Sequence, residues 1–248
     1  MEKEKQHKND MYGNIDARNE SDEGVLPPIP AATVVLLREA GGSYEVLMLK
    51  KNSKITFGGM WVFPGGKIDP EDYVDDDNLE KAARTASVRE AKEEAGIVLD
   101  SKDFINFAHW TPPPGPQKRF ATWFFIAESK HHENVEIDEG EIKDHQWIKP
   151  SEALSKHASG DIDLVPPTWI TLNHLSLYST IAEVLDHFSS ASPKKYETRV
   201  VKGAEGNRVA MWEGDAGYQD WDADLKGDRH RLVMSEGGFV FENSVEDY

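Results

Sequence analysis

The sequence predicts an α/β fold with a smaller β-rich extension at its C-terminus. Three observations indicate this class: two β-branched, apolar runs joined by glycines, a helical segment rich in Ala, Glu, Lys and Arg, and hairpin-like patterns near the C-terminus. A chain of 248 residues, with 38% hydrophobic and 10% aromatic residues, is long enough to bury a core in one large domain with appendages.

Composition divides the chain into three predicted parts. Residues 1–24 are charged and nearly free of large aliphatic side chains, so we expect a loose, disordered tail. Residues 25–192 carry the alternating strand and helix patterns of the main domain. Residues 193–248 form the predicted C-terminal β-hairpin extension.

The main domain begins with a predicted hairpin, because "ATVVLLRE" and "SYEVLMLKK" flank the glycine turn "AGGS". A loop rich in Gly, Pro and Asp then leads into "LEKAARTASVREAKEEAG", whose composition favours a helix that ends at Gly96. Strands are predicted at "FINFAHW", "RFATWFFIA" and "HQWIKP", and a helix at "SEALSKH". From Pro166 to about Ser189 the apolar residues recur with a mostly helical period, which predicts one long helix.

The C-terminal extension contains two segments, "ETRVVKGAEGNRVAMWEG" and "HRLVMSEGGFVFE", in which apolar stretches surround a glycine turn, as in hairpins. The acidic stretch between them lacks the ligand spacing of a calcium loop and predicts an ordered surface loop. Assembly into a homodimer and ligand sensing are two uses of this extension that the sequence leaves open.

Charge narrows the classes of partner. The net charge of −17 and the pI near 4.9 repel phosphate backbones and anionic membranes, so we expect neither nucleic acid nor a membrane as a partner. The N-terminus lacks an apolar signal core, and the run "ATWFFIA" is too short to span a bilayer, which predicts a cytoplasmic protein. The absence of cysteine excludes disulfides, a thiolate nucleophile and cysteine-ligated zinc. An enzyme acting on a small molecule fits best.

The segment "REAKEEAG" places Glu90, Glu93 and Glu94 within one and a half turns of the predicted helix. Like charges three or four residues apart on a helix cost about 0.2–0.5 kcal/mol per pair, so another interaction should offset the repulsion. Mg²⁺ or Mn²⁺ would do so, since both prefer oxygen ligands. For the octapeptide alone, the alternative is a solvated helix balanced by Arg89 and Lys92. The upstream glycines of "GGMWVFPGGK" favour the metal site, because they let the backbone approach a ligand.

Taken together, "GGKIDPE" and "REAKEEAGI" resemble the Nudix box of the Nudix hydrolase superfamily. The second half matches the box at every fixed position from Arg89 to Ile97. In the first half, Gly65 and Glu71 keep the expected spacing, but seventeen residues separate Glu71 from Arg89 where the family has seven. An insertion therefore splits the box, which leaves the role of Glu71 open.

The resemblance implies the Nudix α/β/α sandwich, in which a mixed sheet lies between helices. It also implies hydrolysis of a diphosphate assisted by Mg²⁺ or Mn²⁺. Glu90 and Glu94 would be the main metal ligands, with Glu93 as an additional ligand through water or a second ion and the carbonyl of Gly66 as another. Arg89 would pair with a neighbouring carboxylate of the box and hold it in position.

The same resemblance implies a general base, which family members draw from the box or from a later loop. Glu141 lies six residues before Trp147, as an acidic residue does in many members, and Glu139 is its competitor. An exposed acidic loop without a catalytic role is the alternative for either residue.

The split box, "WTPPPGPQKRFATWFFIAE" and "LVPPTWITL" resemble the branch that includes peroxisomal coenzyme A and acyl-coenzyme A diphosphatases and longer bacterial relatives. That branch implies coenzyme A or an acyl derivative as substrate. Trp110, Lys118 and Arg119 are then candidate partners for its adenine and phosphates, with core packing as the alternative for Trp110. Lys51 ends a strand near the glycine loop and is a further candidate for phosphate, with a solvated strand end as the alternative.

Two other functions stay open at this level. The first is an ADP-ribose, NADH or other dinucleotide diphosphatase, because the box sets the chemistry and not the attached group. The second is a non-catalytic, ligand-binding Nudix module. The complete second half of the box argues against such a module, since a binder gains nothing from a repulsive carboxylate face.

Overall fold

A computed structural model describes residues 7–12, 26–54, 57–74, 78–114, 118–129 and 134–245 of the chain. It confirms an α/β fold with a mixed sheet and a second, β-rich part near the C-terminus. The chain divides into two compact units. The main unit comprises Ile29–His109 and Phe120–Lys195, and the C-terminal unit comprises Trp110–Arg119 and Tyr196–Tyr248 together with residues up to Pro28.

The strands, numbered in chain order, are β1 (Ile29–Ala40), β2 (Ser43–Lys51), β3 (Trp61–Val62), β4 (Gly65–Lys67), β5 (Ile105–Thr111), β6 (Phe120–Glu128), β7 (Ile142–Ile148), β8 (Lys194–Glu197), β9 (Arg199–Lys202), β10 (Arg208–Met211), β11 (His230–Ser235) and β12 (Gly238–Asn243). The helices are α1 (Leu79–Ala95), α2 (Pro150–Ser159), α3 (Pro166–Leu175) and α4 (Ile181–Ser190). None of these helices is both long enough and apolar enough to cross a membrane.

The larger sheet has the strand order β3-β2-β1-β6-β5-β8, with β4 paired to β1 and β7 paired to β2. It is mixed, because β1 runs parallel to β6 but antiparallel to β2 and β4. The predicted first hairpin is confirmed, with Ala40 opposite Ser43 at its turn. Pairing of β4 with β1 sets Gly66 opposite Ala32, so the glycine segment is fixed to the centre of the sheet.

Helix α1 packs on this sheet through small side chains. Its buried alanines lie in one core cluster with apolar residues of β1, β2 and β6: Ala82, Ala83, Ala86, Ala91 and Ala95. The side chain of Asn78 caps the helix start by accepting the N–H of Lys81 at 3.0 Å. As predicted, the helix ends at Gly96, whose φ of 70° is the left-handed conformation that favours glycine.

The prediction of one long helix from Pro166 to about Ser189 is wrong, because α3 ends at Leu175 and α4 begins at Ile181. A capping box starts α4: Thr180 Oγ1 accepts the N–H of Glu183, and the Glu183 carboxylate accepts the N–H of Thr180, both at 3.2 Å. The apolar period continues through this break, and the local signal that marks it is the tetrapeptide "TIAE".

The C-terminal unit is built on an antiparallel sheet of order β12-β11-β10-β9. The two predicted hairpins are confirmed as β9–β10 and β11–β12. The fully buried Trp212 donates its Nε1–H to Thr198 Oγ1 at 3.0 Å, which satisfies its one polar atom.

Residues 7–12 differ from the loose tail that was predicted for residues 1–24. Asn9 and Asp10 are only 4% and 1% exposed. The Asn9 amide donates to the carbonyl oxygens of Ser235 and Glu236, both at 3.0 Å, so this segment is tied to the turn of the last hairpin. The rest of the predicted tail lies outside the described residues.

A buried ion pair between Arg231 and Asp215 lies in the C-terminal unit. Arg231 donates to the two carboxylate oxygens of Asp215 at 2.6 and 2.5 Å, and both side chains are at most 5% exposed. The same carboxylate accepts the backbone N–H groups of His230 at 2.9 Å and Gly217 at 2.8 Å. Burial alone would raise the pKa of Asp215, but these hydrogen bonds outweigh it and hold the pKa below its ordinary value.

Asp215→Asn should lower the free energy of unfolding by about 3–5 kcal/mol, because Arg231 would stay buried without its charged partner. Since the pKa of Asp215 is depressed in the folded state, its contribution is fully present above the unfolded value of about 3.9 and is lost as the pH falls through the folded value. Urea unfolding followed by tryptophan fluorescence, from neutral to acid pH, should therefore show a weaker acid dependence in the variant.

The matched control is Asp220→Asn, which removes an exposed carboxylate of the same unit. It should unfold like the wild type at every pH. Equal losses in the two variants would contradict the assigned role of Asp215.

Candidate functional site

Helix α1 carries its three glutamates in two environments. The side chains of Glu94 and Glu90 are only 4% and 13% exposed, whereas that of Glu93 is 59% exposed. The charges of Glu90 and Glu94 are close enough for Glu90 to raise the pKa of Glu94. The helix therefore brings Glu90 and Glu94 together on its buried side and leaves Glu93 at the surface.

Strand β4 lies directly against these two carboxylates. The N–H of Gly65 donates to Glu94 Oε2 at 2.9 Å. A Cβ atom on Gly66 would lie 2.2 Å from Glu90 Oε1, and one on Gly65 would lie 2.4 Å from the carbonyl oxygen of Ala32. Only glycine lets the strand approach the sheet and the helix this closely.

Lys51, the last residue of β2, reaches the Glu94 carboxylate from the sheet. Its side chain is 10% exposed and forms an ion pair with Glu94 Oε1. Its Nζ also lies 3.5 Å from Glu141 Oε2. Burial alone would lower the pKa of Lys51, but the charge and hydrogen bond of Glu94 raise it, so the ammonium stays charged. The alternative of a solvated strand end is wrong for Lys51.

The buried carboxylates are poorly solvated in the protein. Burial raises the pKa of Glu94 to about 7, although Lys51 and the N–H of Gly65 act in the opposite direction. Burial likewise raises the pKa of Glu90, against the hydrogen bond from Arg89. Carboxylates in such surroundings gain most from a further cation, and perturbed acids of this kind cluster at functional sites.

Arg89 links the helix to the segment before it. It donates to Asp72 twice, at 3.1 and 2.9 Å, and to the carbonyl oxygen of Lys67 at 3.1 Å. It also donates to Glu90 Oε1 at 2.8 Å and to Glu93 Oε2 at 3.1 Å. The guanidinium thus hydrogen-bonds two glutamates of the helix, and its role in positioning a metal ligand stays a prediction.

Asp72 is a site residue that the sequence interpretation missed. It is 1% exposed, whereas the neighbouring Glu71, weighed as the acid of the first half of the box, is exposed. The Asp72 carboxylate also accepts the N–H of Asp69 at 2.8 Å, and Pro70 starts the short 3₁₀ turn between them. The tetrapeptide "DPED" is the signal for this turn, since a capping box directs the side chain of its last residue back toward the helix start.

The loop before β7 holds the two candidates for the general base. The Asp138 carboxylate accepts the N–H groups of Glu141 and Ile142, each at 2.8 Å, which orders the loop. The N–H of Asn52 donates to the Glu141 carbonyl oxygen at 2.7 Å. Both side chains are exposed. That of Glu141 is 64% exposed and faces Lys51. The competitor Glu139 has a positive φ of 57°.

Trp110, predicted to stack on an adenine, packs inside the C-terminal unit instead. It is 4% exposed, and its ring is stacked on Tyr196 with centroids 3.7 Å apart and an angle of 4°. Trp212 meets the same indole edge-on at 5.5 Å. The core-packing alternative therefore describes Trp110, because the ring face that would hold a base is covered by Tyr196.

The other two predicted substrate contacts also belong to the C-terminal unit. Arg119 donates to the backbone carbonyl oxygens of Leu26 and Pro112, both at 3.0 Å, so part of its donor capacity is used within the protein. Lys118 is exposed. Their contacts with phosphate stay predictions.

The donor atoms at α1 fit a hard divalent cation in type, because they are carboxylate oxygens beside glycine backbone that no Cβ blocks. Within the described ranges, however, no three His, Asp or Glu side chains converge as a ready cluster of ligands. Lys51 and Arg89 supply the positive charge beside Glu94 and Glu90 in the protein alone. The site is therefore a pair of buried carboxylates with internal counter-ions.

Known proteins resemble this chain in sequence. A family model described as NUDIX domain matches residues 27–167. The acyl-coenzyme A diphosphatase NUDT19 of Xenopus laevis is 25% identical over a gapped alignment of length 299, which covers 82% of this chain and 78% of that protein. Putative nudix hydrolase 7 of Caenorhabditis elegans is 27% identical over 183 residues, covering 59% of this chain and 60% of its own length.

A solved structure resembles the fold. The crystal structure of a NUDIX hydrolase from Alicyclobacillus acidocaldarius has a TM-score of 0.58 and 22% sequence identity, covering 67% of this chain and 99% of that one. At this level of identity the likeness bears on the fold alone. It agrees with the sandwich that the sequence resemblance implied.

Asp72→Asn should lower the free energy of unfolding by about 1.5–3 kcal/mol, because it removes a buried carboxylate that accepts two charged hydrogen bonds from Arg89. Urea unfolding followed by circular dichroism measures the loss. The control Glu71→Gln changes the exposed neighbour and should stay within about 0.5 kcal/mol of the wild type. A larger loss for Glu71→Gln than for Asp72→Asn would show that the wrong acid has been assigned.

Proposed function

The chain belongs to the Nudix family, and we propose that this Nudix hydrolase cleaves the diphosphate linkage of coenzyme A or an acyl-coenzyme A with Mg²⁺ or Mn²⁺. The products would be 3′,5′-ADP and a phosphopantetheine or its acyl derivative. The observation that carries the proposal is the buried pair Glu90 and Glu94, which Gly65, Gly66 and Lys51 hold beside the sheet.

Nudix hydrolases generally use divalent metal ions and act on small nucleotide substrates. Here Glu90 and Glu94 would hold the ion, with Glu93 and the carbonyl of Gly66 as further oxygen ligands. When bound, the ion would neutralise phosphate oxygens and acidify the attacking water. Burial raises the pKa of Glu94, which means that its negative charge is poorly compensated in the protein alone. A divalent cation would compensate that charge, and this supports the assignment.

The remaining residues of the site orient a proposed metal ligand or would accept a proton. Arg89 fixes the orientation of Glu90, and Asp72 fixes Arg89 in turn. Glu141 is the proposed general base, so its carboxylate would accept the proton of the attacking water. Its exposure leaves it open to water, and the hydrogen bonds of Asp138 keep its loop next to Lys51. Glu139 is the competing base.

Support for the substrate comes from the relative named as an acyl-coenzyme A diphosphatase, which aligns over most of both chains. A second candidate is an ADP-ribose or NADH diphosphatase. It is kept because Trp110, the predicted adenine partner, is covered by Tyr196, and the box itself does not choose the attached group.

The buried acids argue against a non-catalytic module, as a binder would lose stability by keeping them. The cytoplasmic location and the homodimer stay predictions.

The first test of the proposal is Glu94→Gln. Mg²⁺ should raise the melting temperature of the wild type, because a ligand that binds only the folded state stabilises it. The variant should show a smaller rise and a kcat at least about tenfold lower, since it loses a charged ligand. Thermal unfolding with and without Mg²⁺, together with steady-state kinetics, measures both effects.

Glu80→Gln is the matched control, because Glu80 lies in the first turn of the same helix and also pairs with an arginine, Arg84. It should keep the metal response and the rate of the wild type. An unchanged rate in Glu94→Gln would remove that residue from the mechanism.

The second test compares substrates at equal concentration in Mn²⁺: coenzyme A, acetyl-coenzyme A, NADH and ADP-ribose. We expect the highest kcat/KM for coenzyme A or its acyl form, with 3′,5′-ADP identified as a product by mass spectrometry. Intact coenzyme A alongside turnover of NADH or ADP-ribose would favour the second candidate.

A further inference from the structure

Both carboxylate oxygens of Glu94 are already occupied by donors of the protein. Oε1 accepts from the ammonium of Lys51, and Oε2 accepts the N–H of Gly65 at 2.9 Å. The Lys51 and Glu94 side chains are only 10% and 4% exposed, so this is a buried ion pair. Its anion is one of the two main metal ligands in the proposed function.

The two donors differ in how easily they can leave. The Gly65 N–H belongs to β4, which is paired to β1 with Gly65 opposite Thr33, so it is fixed by the sheet. Lys51 holds its oxygen through a flexible four-carbon side chain. A divalent cation bound at Glu94 would therefore take the oxygen that Lys51 holds, because two cations repel each other at one buried carboxylate oxygen.

A second carboxylate lies within reach of the displaced ammonium. Glu141 Oε2 is 3.5 Å from Lys51 Nζ, and its side chain is 64% exposed. The Asp138 carboxylate accepts hydrogen bonds from the N–H groups of Glu141 and Ile142, which keep the Glu141 loop in place beside the end of β2. Lys51 thus lies between the buried Glu94 and the exposed Glu141. Near Glu141, its ammonium would face the oxygens of an entering diphosphate.

We propose that Lys51 is an internal counter-ion that holds Glu94 until the metal ion binds and is then released to bind the substrate diphosphate. Binding of the metal ion and binding of the diphosphate would be coupled through the Lys51 side chain. The inference rests on the proposed function, and it adds that Lys51 opposes metal binding while it favours substrate binding. A residue needed only for packing or folding would not act on the two ligands in opposite directions.

Binding of Mn²⁺ without nucleotide tests the first half of the proposal, with free Mn²⁺ followed by electron paramagnetic resonance. Lys51→Gln should bind Mn²⁺ about tenfold more tightly than the wild type, because the competing charge is gone. Lys51→Arg keeps the charge and should stay within about threefold of the wild type. Lys50→Gln is the matched control on the same strand, because Lys50 lies over Trp61 rather than at Glu94, and it should bind like the wild type.

Steady-state kinetics at saturating Mn²⁺ tests the second half. Lys51→Gln should raise KM for coenzyme A about tenfold, with a smaller change in kcat, because it loses a phosphate contact. Lys51→Arg should recover most of this loss. Tighter Mn²⁺ binding together with a higher KM supports the proposal, whereas unchanged or weaker Mn²⁺ binding in a folded Lys51→Gln overturns it, as does an unchanged KM.

A measurement on the wild type keeps the proposal testable if Lys51→Gln fails to fold. Mg²⁺ should shift the side-chain resonances of Lys51 in lysine-labelled protein, and those of Lys50 should not move. The absence of a Lys51 shift at saturating Mg²⁺ overturns the proposal. Failure of the proposed function looks different, because the wild type would then neither bind Mn²⁺ nor hydrolyse any of the four substrates.

Discussion

The site depends on holding carboxylates in a place that water hardly reaches. A buried charge is costly unless a partner of opposite sign and further hydrogen bonds compensate it. Glu94 has both, from Lys51 and the N–H of Gly65, and Glu90 has Arg89. Because these partners come from a strand end, a glycine strand and the helix itself, the carboxylates also fix how α1 lies on the sheet.

Close approach is what makes this arrangement possible. Most of the buried residues of α1 are alanines, so the helix axis can lie near the strands and still leave long acidic side chains room to turn inward. Gly66 completes the fit, because any side chain there would overlap the Glu90 carboxylate. Small residues on both partners thus place the two acids beside backbone, and their oxygen atoms are of the type that a small, hard cation prefers.

The sequence predicts the parts of this site that depend on local patterns. The helix, its end at Gly96 and the acidic second half of the box all lie within one short segment. Asp72 could not be found in the same way, because its partner Arg89 is remote in sequence and the turn that buries it had to be recognised first. The burial of Lys51 depends on sheet packing, which a strand-end lysine does not reveal. The covered face of Trp110 likewise depends on Tyr196, far along the chain.

The split box keeps its geometry because both ends of the insertion are anchored independently. Asp72 closes a 3₁₀ turn through the N–H of Asp69, and Asn78 caps α1 through the N–H of Lys81. The pairing of Arg89 with Asp72 holds the start of the insertion against helix α1. Lengthening a surface connection costs little free energy when its ends are held, since loop-closure entropy grows only slowly with length. A longer box is therefore compatible with an unchanged arrangement of carboxylates.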